Sequence, residues 1–353
     1  MRIGIDIRAF KNGQTGIAKY LRNLMDCLQT IDTTNEYFLF EPRDIPYNIH
    51  NAKWQKICIP TRMPGILWQQ FIIPFYLKKH HIDIFWAPEQ IAPVYSGGAK
   101  IVTTVHDLVV YRFPDSCQKS NLYIQKCLLP LTLRRSSAIL PVSNYIKNEL
   151  LTKFSFLDGS NISVITNAGP EWSVPSNYSP KNRQNFLLCV GNIEPRKNLI
   201  RLIKAFEKID DNDLQLVIVG PEGWKNSEFY SVIEYSPKKS KIVIKGFVSE
   251  EELKTLYVTC KALVYPSIYE GFGIPVLEAF SMDCPVLTSG NSAMEEIAGE
   301  CAIYFDPWDI DSIAEKIRLF LAAPEYGIKF GNSYSWSKSA AMLLKVFESF
   351  RFK

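Results

Sequence analysis

Three short segments concentrate residue types that can hold a phosphorylated, hydroxyl-rich ligand. In Tyr269-Glu270-Gly271-Phe272-Gly273-Ile274-Pro275-Val276-Leu277-Glu278, two carboxylates bracket a small, apolar stretch. Gly271 and Gly273 allow the backbone to approach a ligand closely. Pro275 suits the first turn of a helix, where its missing N–H costs nothing. Glu270 is then expected in a loop and Glu278 about one turn inside the helix, with N–H groups from Phe272 to Val276 turned to the same position. Ionised carboxylates accept hydrogen bonds from hydroxyls and repel phosphate. The second segment, Gly191-Asn192-Ile193-Glu194-Pro195-Arg196-Lys197-Asn198, sets two cations beside each other after an apolar run. Arg grips phosphate oxygens in pairs and Lys adds a compact point charge. Two cations at a helix start oppose the helix dipole, and a bound anion would offset that cost. The third, Asn12-Gly13-Gln14-Thr15-Gly16, puts Gly16 where a helix begins, a place that favours anions. A diphosphate with a sugar at each end satisfies all three segments, which makes the expected ligand a nucleotide sugar.

The elements that must position these residues alternate along the chain. RIGIDIR reads as a strand, followed by the helix IAKYLRNLMDCL with Ile17, Leu21, Leu24 and Leu28 on one face. DIFWAP, KIVTTVHD and AILPVS read as short buried strands, and NISVITN closes the series. The proline-rich stretch NAGPEWSVPSNYSPKNRQ is the linker candidate. The pattern then restarts with the strand NFLLCVG, the helix KNLIRLIKAFEKI with Leu199, Ile203 and Phe206 on one face, and the strands LQLVIVG, KIVIKGF, ALVYPS and CPVLTS. Ser249 to Glu252 form a capping box before EELKTLYVTC. Alternation of this kind predicts an α/β fold of two Rossmann-like, doubly wound parallel-sheet domains facing a cleft, with ligands beyond the carboxyl ends of the strands.

Composition narrows the classes. The chain has 353 residues, 47% of them hydrophobic, enough for two cores. No run is long and apolar enough for a transmembrane helix, and MRIGIDIRAF lacks the apolar region of a signal peptide. Eight scattered cysteines, with no C-x-x-C pair, point to a cytoplasmic protein and away from a structural zinc site. Asp83 and Asp107 are isolated, so no metal is expected. Residues 1–170 carry 19 Lys/Arg against 12 Asp/Glu, whereas the rest carries 21 against 24. The basic first half suits an anionic ligand or membrane surface. The excess is too modest, and recognition modules too absent, for a nucleic-acid partner. A nicotinamide dehydrogenase would need G-x-G-x-x-G after the first strand, which N-G-Q-T-G-I does not supply.

The combination G-N-I-E-P-R-K-N, Y-P-S-I-Y-E-G-F-G-I-P-V-L-E-A-F, C-P-V-L-T-S and E-E-I-A-G-E-C-A-I-Y-F-D-P, with G-Q-T-G-I-A-K-Y and V-H-D-L in the first half, resembles a family 4 glycosyltransferase of the two-Rossmann-domain (GT-B) type. The resemblance covers nearly the whole chain. It implies a retaining, metal-independent hexosyl transfer with no cofactor. By position, Arg196 and Lys197 would bind the donor diphosphate and stabilise the leaving group, and Glu278 would hold the ribose. Glu270 would hold the transferred sugar, with Gly271, Phe272, Gly273, Ile274 and Pro275 around it. Gly16 would approach the β-phosphate, His106 would flank the reacting sugar, and Phe247 and Val248 would lie near the base. The implied domains are 1–170 for the acceptor and 183–334 for the donor, joined by 171–182, with a helix at about 335–353 returning to the first. The linker V-I-T-N-A-G-P-E-W departs from the common family pattern.

The first loop is similar to those of bacterial surface-polysaccharide mannosyltransferases, which favours GDP-mannose as donor, with a UDP-sugar as the alternative. The acceptor would be a glycan or a lipid-diphosphate-linked oligosaccharide in O-antigen or capsule synthesis. R-M-P-G-I-L-W-Q-Q-F-I-I-P-F-Y-L-K-K-H-H, rich in aromatics and ending in cations, could rest on the inner face of a membrane through Trp68 and Phe71; the bland reading is a core helix interrupted by Pro74. A non-catalytic sugar-nucleotide-binding subunit is the other alternative.

Overall fold

The computed structural model describes residues 1–12, 15–176, 178–179, 183–323 and 334–351. Gly13 and Gln14 of the first loop, residues 177 and 180–182 of the linker candidate, and residues 324–333 and 352–353 lie outside them. The chain divides into two compact units, Met1–Asn167 with Tyr334–Lys353, and Ala168–Ser333.

The first unit is built on β1 (Arg2–Asp6), β2 (Glu36–Glu41), β3 (Trp54–Cys58), β4 (Ile84–Ala87), β5 (Lys100–Val105) and β6 (Ser136–Pro141), all parallel in the order β3-β2-β1-β4-β5-β6. The second uses β7 (Phe186–Val190), β8 (Gln215–Val219), β9 (Ile242–Gly246), β10 (Ala262–Tyr265), β11 (Val286–Ser289) and β12 (Ile303–Phe305), parallel in the order β12-β11-β10-β7-β8-β9. Both are Rossmann-like sheets flanked by helices. Strand order reverses between β1 and β4 in one and between β7 and β10 in the other. These reversals open crevices at the carboxyl ends of the strands.

Burial explains the elements. All four residues of β4 and of β10 are buried, as strands covered on both faces require. The helix Leu199–Glu207 buries Leu199, Ile203 and Phe206, and with them Leu202 and Ala205, against Leu216, Ile218 and Val264. Each such fully buried Leu or Phe contributes roughly 1.5–3 kcal/mol. The helix Gly16–Ile31 buries Leu21, Leu24 and Leu28, while Ile17 is half-buried. Helix Trp336–Glu348 packs on it, with Trp336 meeting Tyr20 at 6.2 Å, and reaches β4, where Phe347 meets Trp86 at 6.1 Å.

Some readings change. NISVITN is not a strand; it follows β6 through a single bridge, Ile162 to Ile139. The aromatic segment of the first unit is no continuous α-helix. Pro74 lacks the N–H that would bond Gln70, and the turn Trp68–Ile72 widens so that Ile73 N–H reaches back to Trp68 O. Trp68 is fully buried, so it cannot touch a membrane, whereas Phe71 is 69% exposed. Ser249 caps its helix by accepting from Glu252 N–H at 3.2 Å, but the Glu252 carboxylate pairs with Lys245 at 2.7 Å.

Candidate functional site

The crevice of the second unit lies beyond β7 and β10. The loops leaving these strands are joined by Ile268 N–H donating to Arg196 O at 2.9 Å. Pro195–Lys197 forms one 3-10 turn, after which Asn198 takes φ +60°. Its amide holds that left-handed turn by donating to Pro266 O at 3.1 Å and Pro307 O at 2.7 Å. Arg196 and Lys197 are thereby presented to the loop that carries Glu270.

These three side chains converge. Arg196 Nη1 reaches Glu270 Oε2 at 2.8 Å and Tyr269 O at 2.8 Å, and Nη2 donates to Glu194 Oε1 at 2.9 Å. Lys197 Nζ donates to Glu270 Oε1 at 2.6 Å and to Tyr265 Oη at 2.8 Å, and Tyr265 Oη donates to Glu270 Oε1 at 2.9 Å. Burial would raise the Glu270 carboxyl, but Arg196 and Lys197 outweigh it and hold the group at about 2. Burial and the Glu270 charge push the Tyr265 hydroxyl well above its ordinary value. Two cations thus face two carboxylates, Glu194 and Glu270, and it is these that offset the cost of cations before the helix Leu199–Glu207. Among the described residues Lys197 gives two of its three protons, to Glu270 and Tyr265, which leaves one for an incoming oxygen.

Glu278 is placed separately. It lies in the helix Ile274–Ser281, is 3% exposed, and accepts from Tyr257 Oη at 3.0 Å. Gly273 starts this helix at φ +104°, a conformation that glycine adopts at no steric cost. The expected row of N–H groups is shorter than the sequence suggested. Pro275 has none, and Val276 N–H donates to Gly273 O at 3.0 Å. Gly271 and Phe272 are buried, and Ile274 and Pro275 are half-buried. Phe247 is 61% exposed and Val248 half-buried, just beyond β9. The loop ends are tightly stitched: Gly191 N–H donates to Val219 O and Gly220 N–H to Gly246 O, each at 2.8 Å. A Cβ on Gly220 would fall 2.1 Å from Gly191 O.

Gly16 and His106 belong to the first unit. Gly16 opens the helix Gly16–Ile31, capped by Thr15 Oγ1, which accepts from Ala18 N–H at 3.2 Å. His106 follows β5, with Tyr20 edge-on at 5.1 Å and Nε2 2.7 Å from Pro88 O. A carbonyl only accepts, so Nε2 carries the proton. Burial lowers the imidazole below its ordinary value, so Nδ1 is left as an acceptor at neutral pH. Sequence reasoning missed Tyr257 and Tyr265. The signal for Tyr265 was a tyrosine closing an otherwise aliphatic strand; Tyr257 gave none.

The description "Glycosyltransferase Family 4" matches residues 15–168, and "Glycosyl transferases group 1" matches residues 172–333. The chain is 25% identical to O-antigen chain mannosyltransferase B of Escherichia coli, over 99% of this chain and 100% of that protein. It is 32% identical to O-antigen chain mannosyltransferase RfbU of Salmonella typhimurium, over 65% of this chain and 63% of that protein. Among solved structures, sucrose-phosphate synthase of Thermosynechococcus elongatus superposes with TM-score 0.75 at 16% identity, covering 99% of this chain and 98% of that one. HepE of Anabaena, in complex with UDP and glucose, gives 0.74 at 16%, with both chains fully covered. Both matching descriptions are of sugar-transferring enzymes, and between them they span residues 15–168 and 172–333. The chain belongs to the family 4 glycosyltransferases.

Proposed function

We propose that this glycosyltransferase moves mannose from GDP-mannose, with retention of configuration and without a metal, to a glycan or lipid-linked oligosaccharide of a bacterial surface polysaccharide. The observation that carries the reading is the Arg196–Lys197–Glu270 cluster beyond β7 and β10. The two cations take the diphosphate and stabilise the negative charge that develops as the sugar departs. Glu270, ionised at every working pH, accepts from hydroxyls of the transferred sugar, and Glu278 from those of the ribose. Gly16 approaches the β-phosphate, and Phe247 and Val248 flank the base. His106, neutral with Nδ1 open, lies beside the reacting sugar. The mannosyl donor is supported by the names of the Escherichia coli and Salmonella relatives. A UDP-hexose is the second reading, supported by HepE, whose structures hold UDP and UDP-glucose.

The enzyme works from the cytoplasmic face of a membrane in this reading. Among the described residues no helix is long and apolar enough to cross one. Leu67, Phe71, Phe75, Tyr95 and Tyr123 line an apolar groove of about 1010 Å³ beside Lys78. Calorimetric titration of GDP, UDP and ADP in EDTA, against wild type and Arg196→Ala, tests the site. One nucleotide binding tightly and weakened by the substitution is the expected result; binding by none refutes it. NMR of the product anomer then decides retention.

A further inference from the structure

The crevice of the first sheet, between β1 and β4, holds a second built cluster. Asp6 ends β1, and Arg8 folds back to chelate it, with Nη2 at 2.6 Å from Oδ2 and Nε at 2.9 Å from Oδ1. The guanidinium lies over Trp68 at 5.5 Å, and a Cβ on Gly65 would come within 2.9 Å of Arg8 Nη1. The widened turn Trp68–Ile72 carries Gln69, which is fully buried and donates to Asp6 Oδ2 at 3.0 Å and to Ile91 O at 2.7 Å. Both partners are acceptors, which fixes the amide orientation. Gln69 Oε1 has no hydrogen-bond partner among the described residues. From β4 comes Glu89, whose Oε2 stands 3.9 Å from Arg8 Nη2 and whose side chain is 30% exposed, against 1% for Asp6. Beyond it, Ile91 N–H closes on Glu89 O at 2.8 Å around Gln90 at φ +67°. That is a strained γ-turn of the kind held in place where a side chain must be aimed.

The asymmetry of this cluster is informative. Asp6 and Arg8 satisfy each other, and Arg8 is steadied by Trp68. Glu89 is too far from Arg8 for a hydrogen bond, yet close enough to feel its charge, and it opens toward solvent. An oxygen bridging Glu89 and Arg8 would complete both. A second anion is disfavoured there by two carboxylates, and a cation by Arg8. A neutral hydroxyl, donor and acceptor at once, fits. We propose that Glu89 and Arg8 seat a pyranose hydroxyl of the acceptor, with Gln69 as a positioning residue behind Asp6; this rests on the sugar acceptor assigned above.

Asp6 and Arg8 are the charged groups set against Glu89, and the segment carrying Trp68 and Gln69 adds no titratable one there. Burial and Asp6 outweigh Arg8 and raise the Glu89 carboxyl to about 7. A hydroxyl held by an ionised carboxylate is bound more strongly than one held by the neutral acid. Affinity for the acceptor sugar therefore rises as pH rises through 7.

The test is saturation-transfer NMR titration of methyl α-mannoside, α-glucoside, α-galactoside and N-acetyl-α-glucosaminide into the full chain between pH 5.5 and 8.5. Wild type is expected to bind at least one, about 5-fold more tightly at pH 8 than at pH 6. Glu89→Gln is expected to weaken that binding about 10-fold and flatten its pH dependence, while leaving nucleoside diphosphate affinity unchanged as evidence that it folds. Glu89→Asp is expected to restore the pH dependence in part. Binding by none of the glycosides, equal binding to Glu89→Gln, or loss only in Glu270→Gln would overturn the assignment. Absence of transfer from GDP-mannose by wild type would refute the donor reading and leave this titration to be judged by itself.

Discussion

Glu270→Gln is the most informative single change, because the structure fixes both its size and its pH dependence. The folded carboxyl is held at about 2 against an ordinary 4.5. At about 1.4 kcal/mol per pH unit, that difference makes the charge worth about 3 kcal/mol of stability at pH 7. The side chains of Arg196, Lys197 and Glu270 are only 19, 12 and 10% exposed, so solvent screening removes little of it. Since the folded value lies below the unfolded one, the contribution is complete above about 4.5 and is lost as pH falls toward 2. In a domain of this size, about 3 kcal/mol corresponds to roughly 6–12 °C in melting temperature. Thermal denaturation followed by circular dichroism should show that gap between wild type and Glu270→Gln at pH 7, and less than half of it at pH 3. If Arg196 and Lys197 take the diphosphate as proposed, a saturating nucleoside diphosphate brings anionic oxygens to the two uncovered cations and should narrow the gap at pH 7. Equal melting temperatures at pH 7, or a gap that persists undiminished at pH 3, would refute the ionic account of this site.

Three further outcomes follow from named contacts. Gly220→Ala, with its Cβ 2.1 Å from Gly191 O, should cost more than about 3 kcal/mol in urea unfolding, whereas Gly246→Ala, with open space but φ +65°, should cost about 1 kcal/mol. Tyr257→Phe removes a 3.0 Å hydrogen bond to a buried carboxylate and should raise the KM for the donor about 3- to 10-fold, leaving that for the acceptor alone. Phe71→Ser and Phe75→Ser combined with Lys78→Glu and Lys79→Glu should abolish sedimentation with anionic liposomes without loss of fold, whereas Trp68→Ser should destabilise by about 3–5 kcal/mol, since that ring is fully buried.

Much of this architecture can be read directly from the chain. Short aliphatic runs ending in turn residues reveal β1, β4 to β6 and β7 to β11, because a parallel sheet covered on both faces demands them. The run EYFLFE of β2 carries a glutamate at each end, WQKIC of β3 has polar residues on an edge strand, and IYF of β12 is only three residues long, so all three escape such a reading. Arg196, Lys197 and Glu270 stand out individually as charged residues in loops that leave strands. That Glu270 pairs with both cations does not, since the partners are more than 70 residues apart and meet only because β7 lies beside β10. The Asp6–Arg8–Gln69–Glu89 cluster is hidden for the same reason, and also because the widened turn that aims Gln69 depends on Pro74 several residues downstream. Tyr257 is invisible for a simpler reason: its hydroxyl bonds a helix formed later in the chain.

The helix Trp336–Glu348 completes a unit whose other residues end at Asn167. Its partner, Gly16–Ile31, leaves the ribosome some 300 residues earlier. At roughly 5–20 residues per second, the face around Tyr20 waits on the order of 15–60 s for its cover. The second unit, continuous from Ala168 to Ser333, meets no such delay and can finish first. Birth order and chain order are therefore reversed: the amino-terminal unit is the last to close. A ribosome stalled before Trp336 would release a chain with one finished domain and one open apolar flank, a ready substrate for chaperones and proteases.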